Sequence, residues 1–537
     1  MGAPPIHPRV RQRMRAVISV KGAWAELYGP PGETLDGVLR VLDPRCEQSL
    51  AYREKRWDGY VRLYEGNRFP AGFVSRVTEY LQSTNHDVVI SSPQETTQID
   101  TSRMGPKYLG GVGPNRKHAL WEHQLRAIMA MLENSRGIVK SPTGSGKTEV
   151  VAAVARYLWE ERGWRSVIVV PRKGLAAQTV QRLQLYYGND LTVGQCGDGK
   201  RIIGDVTVAT AQTLIHFQPT LRNGKVCNAD PELRDLVHSA EVLFLDEAHH
   251  ASAESWYTIA MESRAIRKFG LSGTPLKDDV IADMRLIGAT GEIICHIEST
   301  DLIAKGLNAQ PKIVVVYSPK VSGPELPVVN KVRIVQGEHV PYRQYLPWDK
   351  AYIRGIVKNP HHNAAVVRAV EWLVDRGRRT LVLCRRKAHW LDLKARIEET
   401  GIPCAALWGP TSMYDREDAK REIKNGSVKV ILATTIFDEG EDVPAVEGLV
   451  LAEGVKVSVN ALQRVGRGMR RKKGSNDVWV VDFCPTCHPR LSEHALQRVL
   501  AYEGEGYPVM VWEHWPDPDS GEDLLPFSSW DLTAAKS

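Results

Sequence analysis

The sequence predicts an α/β protein with two tandem domains built on parallel sheets, preceded by a small α+β domain. From Leu120 onward, short apolar segments alternate with amphipathic ones, which is typical of parallel α/β layers. A second series of this kind follows the Pro-rich, poorly periodic segment 318–330. The first hundred residues instead combine a strand-like start, turn residues and one helical pattern. We therefore expect domains at 1–105, 106–318 and 319–490, with a C-terminal extension at 491–537.

Composition excludes several classes of protein. The chain has 537 residues, of which 43% are hydrophobic and 25% charged, so it can bury large cores and is not a disordered polymer. Its net charge of +7 weakly favours an anionic partner. Eight cysteines in a chain of this length do not indicate a disulfide framework. The sequence contains neither a signal peptide nor an apolar run long enough for a membrane span, so we expect a cytoplasmic, intracellular protein.

Apolar runs bounded by turn residues place the strands of both large domains. In the first of these domains we expect strands at 137–140, 166–170, 205–210, 242–245 and 268–272. In the second we expect strands at 380–384, 404–407, 428–433, 448–451 and 478–483.

The segment SPTGSGKT, residues 141–148, lies between a predicted strand and a predicted helix. A Gly-rich turn at this point directs backbone N–H groups and the positive end of the helix at phosphate oxygens. We expect Thr143, Gly144, Ser145 and Gly146 to surround the phosphates and Lys147 to neutralise them. In the same motif, the hydroxyl of Thr148 is expected to bind Mg²⁺. Ser141 departs from the usual glycine at the first position, and the other elements of the P-loop are present.

The apolar run 242–245 ends on two adjacent carboxylates, Asp246 and Glu247. Charged groups at the end of a buried strand are costly to desolvate, so they indicate a function. In a protein with a P-loop we expect Asp246 to hold the Mg²⁺ shell and Glu247 to orient or deprotonate the attacking water.

The segment QRVGRGMR, residues 463–470, supplies cations from the second domain. Arg467 and Arg470 are three residues apart and would share one face of a helix. Arginines of this kind stabilise the transferring phosphoryl group and are worth roughly 10³–10⁵ in rate. The alternative is a solvated basic stretch.

Eight motifs in this order make the chain resemble superfamily 2 helicases and translocases, which have two tandem RecA-like P-loop domains. The motifs are LWEHQ (120–124), SPTGSGKT, VVPRKGLAAQ (169–178), VATAQTL (208–214), DEAH, LSGTP (271–275), LATTIFDEGEDVP (432–444) and QRVGRGMR. The resemblance implies that Gln124 reads adenine, that Gly440 and Asp442 approach the nucleotide, and that Gln463 belongs to the catalytic set. It also implies that Ser272 and Thr274 couple hydrolysis to domain movement. The residues that it places on the nucleic-acid track are Pro171, Arg172, Thr210, Gln212 and Thr434.

Two further segments, 301–311 and 56–77, resemble the phage UvsW-type branch-migration helicases and their XPB-like relatives. In such proteins a small N-terminal domain helps to grip DNA. Arg56, Trp57 and Arg62 combine cations with an aromatic ring, which suits phosphate contact and stacking. The alternative is an ordinary domain with a basic surface.

The segment CPTCH, residues 484–488, raises the question of zinc, with His494 as a fourth ligand. A single CxxC is half of a zinc site, so two free thiols at Cys484 and Cys487 are the favoured interpretation.

These observations predict an ATP- and Mg²⁺-dependent DNA helicase or translocase that remodels branched or duplex DNA by fork regression, branch migration or annealing. We expect it to act as a monomer on DNA, with RNA as a further candidate partner, and we expect no membrane association. Three alternatives remain open: an RNA helicase, the motor subunit of a restriction or defence complex, and an annealing protein regulated by ATP.

Overall fold

The computed structural model describes the chain with several gaps. The described residues are 14–30, 32–46, 58–92, 99–110, 119–222, 225–276, 279–317, 323–335, 338–408, 411, 413–434, 446–454, 477–512 and 525–526. They form two compact units, Met1–Ser141 with Gly146–Ile297 and Pro142–Ser145 with Glu298–Ser537.

The N-terminal part of the first unit is a four-stranded sheet with the order β3-β2-β1-β4. Its elements are β1 Met14–Lys21, β2 Trp24–Tyr28, α1 Gly32–Leu42, β3 Arg68–Pro70, α2 Val74–Ser83 and β4 His86–Ser91. Strand β1 pairs antiparallel with β2 and parallel with β4. Alternation along β1 buries Ala16 and Ile18 on the face that packs against other parts of the unit. This confirms the predicted α+β character.

This sheet is not separated from the rest of the first unit. Ala16, Ile18 and Phe73 belong to the same hydrophobic core as Ile138 and Leu245 of the following large sheet. At Gly72, a Cβ atom would lie 1.8 Å from the carbonyl oxygen of Ile287, so the two parts approach at backbone distance. The N-terminal residues and the first large sheet therefore share one core.

The large sheet of the first unit has eight strands in the order β14-β5-β13-β12-β6-β9-β7-β8. Its strands are β5 Arg136–Lys140, β6 Ser166–Val170, β7 Val193–Gly197, β8 Lys200–Ile202, β9 Val206–Thr210, β12 Val242–Asp246, β13 Arg267–Ser272 and β14 Ile293–His296. A separate antiparallel pair is formed by β10 Thr220–Arg222 and β11 Lys225–Cys227. The helices are α3 Glu122–Glu133, α4 Lys147–Arg162, α5 Lys173–Tyr187, α6 Ala211–Leu214, α7 Pro231–Ser239, α8 Glu254–Glu262 and α9 Val280–Thr290.

The central strands are apolar on both faces because helices cover both faces of a parallel sheet. Every residue of β6, β9 and β13 is buried. Strands β5, β13, β12, β6 and β9 are parallel neighbours, so their carboxyl ends lie along one edge.

The second unit also contains an eight-stranded sheet, with the order β19-β20-β18-β21-β22-β15-β23-β24. Its strands are β15 Gln310–Val316, β18 Thr380–Leu383, β19 Cys404–Leu407, β20 Val430–Ala433, β21 Gly448–Leu451, β22 Asp477–Phe483, β23 Val509–Trp512 and β24 Leu525–Pro526. A separate hairpin is formed by β16 Val329–Val335 and β17 Glu338–Gln344. The helices are α10 Ser299–Ala304, α11 Trp348–Tyr352, α12 Pro360–Asp375, α13 Lys387–Glu399, α14 Met413–Asn425 and α15 Pro489–Gly504.

The predicted α/β class with parallel sheets is confirmed, and each predicted strand is present. The second sheet nevertheless extends beyond the expected range 319–490 on both sides. Gln310–Val316 pairs in parallel with Asp477–Phe483, and Val509–Trp512 pairs with Gln310–Val316 in turn. Both additions bury apolar strands that would otherwise have no partner, and sequence periodicity does not show which strands become neighbours.

Candidate active site

The predicted motifs of the first unit meet at the carboxyl edge of its sheet. The P-loop follows β5, Ser272 ends β13 and Asp246 ends β12. Pro171 and Arg172 follow β6, and Thr210 ends β9. Since these strands are parallel neighbours, residues far apart in the chain come together at the edge where open α/β sheets bind their ligands.

The P-loop has the backbone shape that a phosphate site requires. Gly144 and Gly146 have φ angles of +86° and +85°, which residues with a Cβ atom rarely adopt. Helix α4 begins at Lys147, immediately after the loop. The N–H group of Ser141 donates to the carbonyl oxygen of Ser272 at 2.9 Å, which ties the start of the loop to β13. Its amide groups and the start of the helix are therefore fixed at one position.

Two carboxylates and one lysine form the polar centre of the site. Lys147 Nζ lies 3.3 Å from Glu247 Oε1. Glu247 has a φ angle of +54°, a left-handed conformation that is uncommon outside glycine and that often marks functional positions. Its backbone N–H donates to Asp246 Oδ1 at 3.0 Å.

The two carboxyl groups differ in their pKa. Burial, and then the charge of Glu247, raise the pKa of Asp246 to about 6. Burial also acts to raise the pKa of Glu247, but the charges of Lys147 and His249 outweigh it and hold that pKa below its usual value. Glu247 is thus kept anionic, while Lys147 and the Glu247 N–H only partly offset the cost of the buried charge on Asp246.

These residues fit a magnesium nucleotide. A divalent cation beside Asp246 would remove the cost of its buried negative charge, and carboxylate and hydroxyl oxygens are the ligands that Mg²⁺ prefers. Thr148, in the first turn of α4, supplies the hydroxyl. A bound Mg²⁺ would neutralise phosphate charge; Lys147 would hold the phosphates and Glu247 would take up a proton from water.

A chain of polar contacts links the carboxylates to the LSGTP segment. His249 Nδ1 lies 3.5 Å from Glu247 Oε2 and shares a hydrogen bond of 3.1 Å with Ser272 Oγ. Ser272 is fully buried, and its Oγ accepts from the N–H of Thr274 at 3.2 Å. A change at Glu247 therefore has a direct route to the loop that follows β13.

Two family models match this chain. "Type III restriction enzyme, res subunit" matches residues 117–277, and "Helicase conserved C-terminal domain" matches residues 362–472, together about half of the chain. The first match contains the P-loop, Asp246 and Ser272, and the second lies in the other compact unit. The chain is a superfamily 2 helicase. As such it is an enzyme that hydrolyses ATP and acts on nucleic acid.

The helicase is similar to several curated proteins over most of its length. It is 24% identical over 444 residues to the ATP-dependent DNA helicase uvsW of Enterobacteria phage T4, covering 80% of this chain and 82% of that protein. It is 24% identical to the DNA 3'-5' translocase XPB2 of Sulfurisphaera tokodaii, covering 66% of this chain and 80% of that one. It is 23% identical to putative helicase 22 of Sulfolobus islandicus filamentous virus, of whose length it spans 63%. The expected UvsW-like and XPB-like relatives are thus present.

One solved structure supports the fold. The helicase resembles the ATP-dependent Type ISP restriction-modification enzyme LlaBIII bound to DNA with a TM-score of 0.53 at 13% identity. The match covers 83% of this chain and 34% of that chain. At such low identity it shows the shared fold alone.

The residues expected on the nucleic-acid track differ in exposure. Arg172 and Gln212 are exposed and Pro171 is half-buried. Thr210 is buried, and its Oγ1 accepts from the N–H of Thr213 as the N-cap of α6. Thr434, after β20, is buried as well. Arg172 and Gln212 are therefore the exposed track residues of the first unit.

Some predicted site residues lie outside the described residues, and their roles remain predictions. They are Arg56, Trp57, Gly440, Asp442, Gln463, Arg467 and Arg470. Arg62 is described; it is exposed and paired with Asp58.

Burial raises the pKa of Cys484 to about 12 and also raises that of Cys487. Both thiols are free and buried, and within the described ranges no group of three or more metal-binding side chains occurs. In the same ranges, no helix combines the length and the apolar character needed to cross a membrane.

Sequence reasoning missed two buried residues beside the P-loop. Glu149 lies in the first turn of α4, and its Oε1 accepts from the hydroxyl of Tyr186 on α5 at 2.8 Å. An acidic residue in the first turn of a helix is common, so this contact has no signal in the sequence.

Proposed function

We propose that this helicase is an ATP- and Mg²⁺-dependent DNA translocase that remodels branched or duplex DNA by fork regression, branch migration or annealing. The observation that carries the proposal is the contact chain from Lys147 through Glu247 and His249 to Ser272. It connects Lys147, which we expect to bind phosphate, with the segment after β13, as a motor driven by hydrolysis requires. Thr148 and Asp246 would hold the Mg²⁺.

DNA as substrate is supported by two relatives, and in each of them the match to this chain covers about four fifths of the protein. Their names describe an ATP-dependent DNA helicase and a DNA 3'-5' translocase. Arg172 and Gln212 follow the strand ends of the first unit, and we infer that they contact DNA phosphates. Such contacts carry no sequence information and so suit movement along any strand.

The test uses Glu247→Gln, which removes the proposed base while keeping its shape. The variant should bind ATP like the wild type, while ATP turnover falls about 10²–10⁴-fold and strand separation is lost. A matched control is Glu254→Gln on α8, which makes the same change in charge at a side chain that is 76% exposed. The control should keep wild-type turnover.

Both variants and the wild type are assayed on single strands, duplexes, forks and four-way junctions made of DNA or RNA. The proposal requires DNA to stimulate ATPase more than RNA, and junctions to be remodelled only with hydrolysis. Greater stimulation by RNA would identify an RNA helicase. Junction remodelling by Glu247→Gln at the wild-type rate would identify an annealing protein that uses ATP only as a ligand.

The match to the restriction family favours a second candidate, the motor of a restriction or defence complex. Such a motor would hydrolyse ATP on linear duplexes without separating strands or moving junctions. The same panel of substrates distinguishes it from the proposed remodelling enzyme.

A further inference from the structure

Glu149 is a buried carboxylate at the base of the nucleotide site. It directly follows Thr148 in the P-loop helix, and only 7% of its surface is exposed. One carboxylate oxygen is well supported: Oε1 accepts from the Tyr186 hydroxyl at 2.8 Å and lies 3.6 Å from the Arg182 guanidinium. Burying a charge is costly, so its position needs a reason beyond packing.

The second oxygen, Oε2, has no hydrogen-bond partner among the described residues. This oxygen lies beside Gly146, the last residue before the helix. A Cβ atom built on Gly146 would lie 3.0 Å from Glu149 Oε2 and 2.0 Å from Gln124 Nε2. An unpartnered acceptor and an amide donor therefore converge on the same glycine of the P-loop.

The other end of the Gln124 amide is already fixed. Its Oε1 accepts from the backbone N–H of Trp121 at 2.9 Å, which makes Gln124 part of the N-terminal cap of α3. Gln124 is 2% exposed, so its amide cannot exchange these neighbours for water. Its Nε2 group, with two donor hydrogens, faces the side where the carboxylate lies.

We propose that Glu149 is a positioning residue for Gln124: when a nucleotide binds, Glu149 Oε2 accepts a hydrogen bond from Gln124 Nε2 and thereby fixes the orientation of the amide. Tyr186 holds the carboxylate in place for this contact. The inference rests on the proposed function and on the role in reading adenine that the family resemblance implies for Gln124.

The consequence is selection between purine bases. With its amide fixed, Gln124 presents an acceptor to the exocyclic amino group of adenine and a donor to the neighbouring ring nitrogen. Guanine carries a carbonyl where adenine carries the amino group, so it meets acceptor against acceptor. A flipped amide would donate to the guanine carbonyl, but the flip places Nε2 against the Trp121 N–H and Oε1 against the Glu149 carboxylate. Glu149 thus opposes the orientation that would admit the wrong base.

The test is Glu149→Gln, whose amide can donate as well as accept and so permits the flip. Equilibrium displacement of a fluorescent ADP by ADP and by GDP measures base preference without turnover. We expect the preference for ADP over GDP to fall about tenfold or more, as the loss of one discriminating hydrogen bond implies. Tyr186→Phe, which removes only the supporting hydroxyl, should lower the preference in the same direction. The matched control is Glu161→Gln on the same helix, with the same change in charge and no change in preference.

A second comparison separates positioning from a structural role. If Glu149 acts through Gln124, then Glu149→Gln should add no further loss to Gln124→Ala. If both Glu149→Gln and Tyr186→Phe keep the wild-type preference while melting at lower temperature, Glu149 is structural and the inference is wrong. A wild type without ATPase stimulated by nucleic acid would instead refute the proposed function, because ADP and GDP binding does not depend on that stimulation.

Discussion

The serine of the LSGTP segment offers the sharpest test of how hydrolysis is transmitted. Ser272→Ala removes a fully buried hydroxyl that contacts both His249 Nδ1, at 3.1 Å, and the N–H of Thr274, at 3.2 Å. The substitution leaves Lys147 and Glu247 unchanged. We therefore expect ATP turnover to remain within a few fold of wild type while strand separation slows about tenfold or more.

The expected loss of stability in Ser272→Ala follows from these two hydrogen bonds. Each hydrogen bond of this kind contributes about 1 kcal/mol, so the first unit should lose about 2 kcal/mol of its free energy of unfolding. The same loss removes the Ser272 hydroxyl that links His249 to Thr274. We expect the number of ATP molecules consumed per base pair separated to rise at least about tenfold, which corresponds to one lost contact of about 1.4 kcal/mol.

The measurement combines phosphate release with strand separation on one forked DNA, at saturating ATP. Ser263→Ala is the control, because Ser263 is also buried in the first unit and its Oγ accepts one hydrogen bond, from the N–H of Ala265. It should cost about 1 kcal/mol in stability and leave the ratio of hydrolysis to unwinding unchanged. An unchanged ratio in Ser272→Ala would refute the reasoning.

Three further predictions concern the two units separately. Arg498→Met should destabilise the second unit by about 3–5 kcal/mol, because it leaves the buried Asp482 carboxylate without the cation whose Nε donates to it at 2.8 Å. Urea denaturation measures this loss of stability. Burial lowers the pKa of His362 to about 4 and that of His389 to about 3, so both are neutral in the folded protein but charge in the unfolded chain below pH 6.5. The stability that they provide is present above pH 6.5 and falls by about 1.4 kcal/mol per histidine for each pH unit below it. His389→Gln should therefore show a shallower decline in urea midpoints between pH 7 and pH 5 than the wild type. Gly72→Ala places a Cβ atom 1.8 Å from a carbonyl oxygen of helix α9 and should lower the free energy of unfolding by about 2–3 kcal/mol. Protease should then cleave the N-terminal sheet earlier than in the wild type, and resistance equal to the wild type would contradict the shared core.

Several parts of this helicase are readable from sequence because their chemistry is local. The P-loop needs glycines at particular backbone angles, followed by lysine and threonine at the start of a helix, and all of these are consecutive residues. Asp246 and Glu247 are recognisable because an apolar strand ends on them. Five of the eight strands of each large sheet follow from their length and apolar character, and these predicted strands are present.

Other parts depend on which strands and helices become neighbours. Strand β15 joins the second sheet because β22 and β23 offer it partners on both sides, and its own residues do not specify that pairing. The N-terminal sheet shares a core with the first large sheet, a contact that composition does not indicate.

The sequence by itself determined the class of fold, the nucleotide motifs and the family, since each depends on short runs of consecutive residues. Only the tertiary structure decided that Glu149 faces Gln124 over Gly146 and that His249 meets Ser272. The physical reason is that a hydrogen bond requires two atoms within about 3 Å, and for residues distant in the chain that separation is set by the order of strands in the sheet.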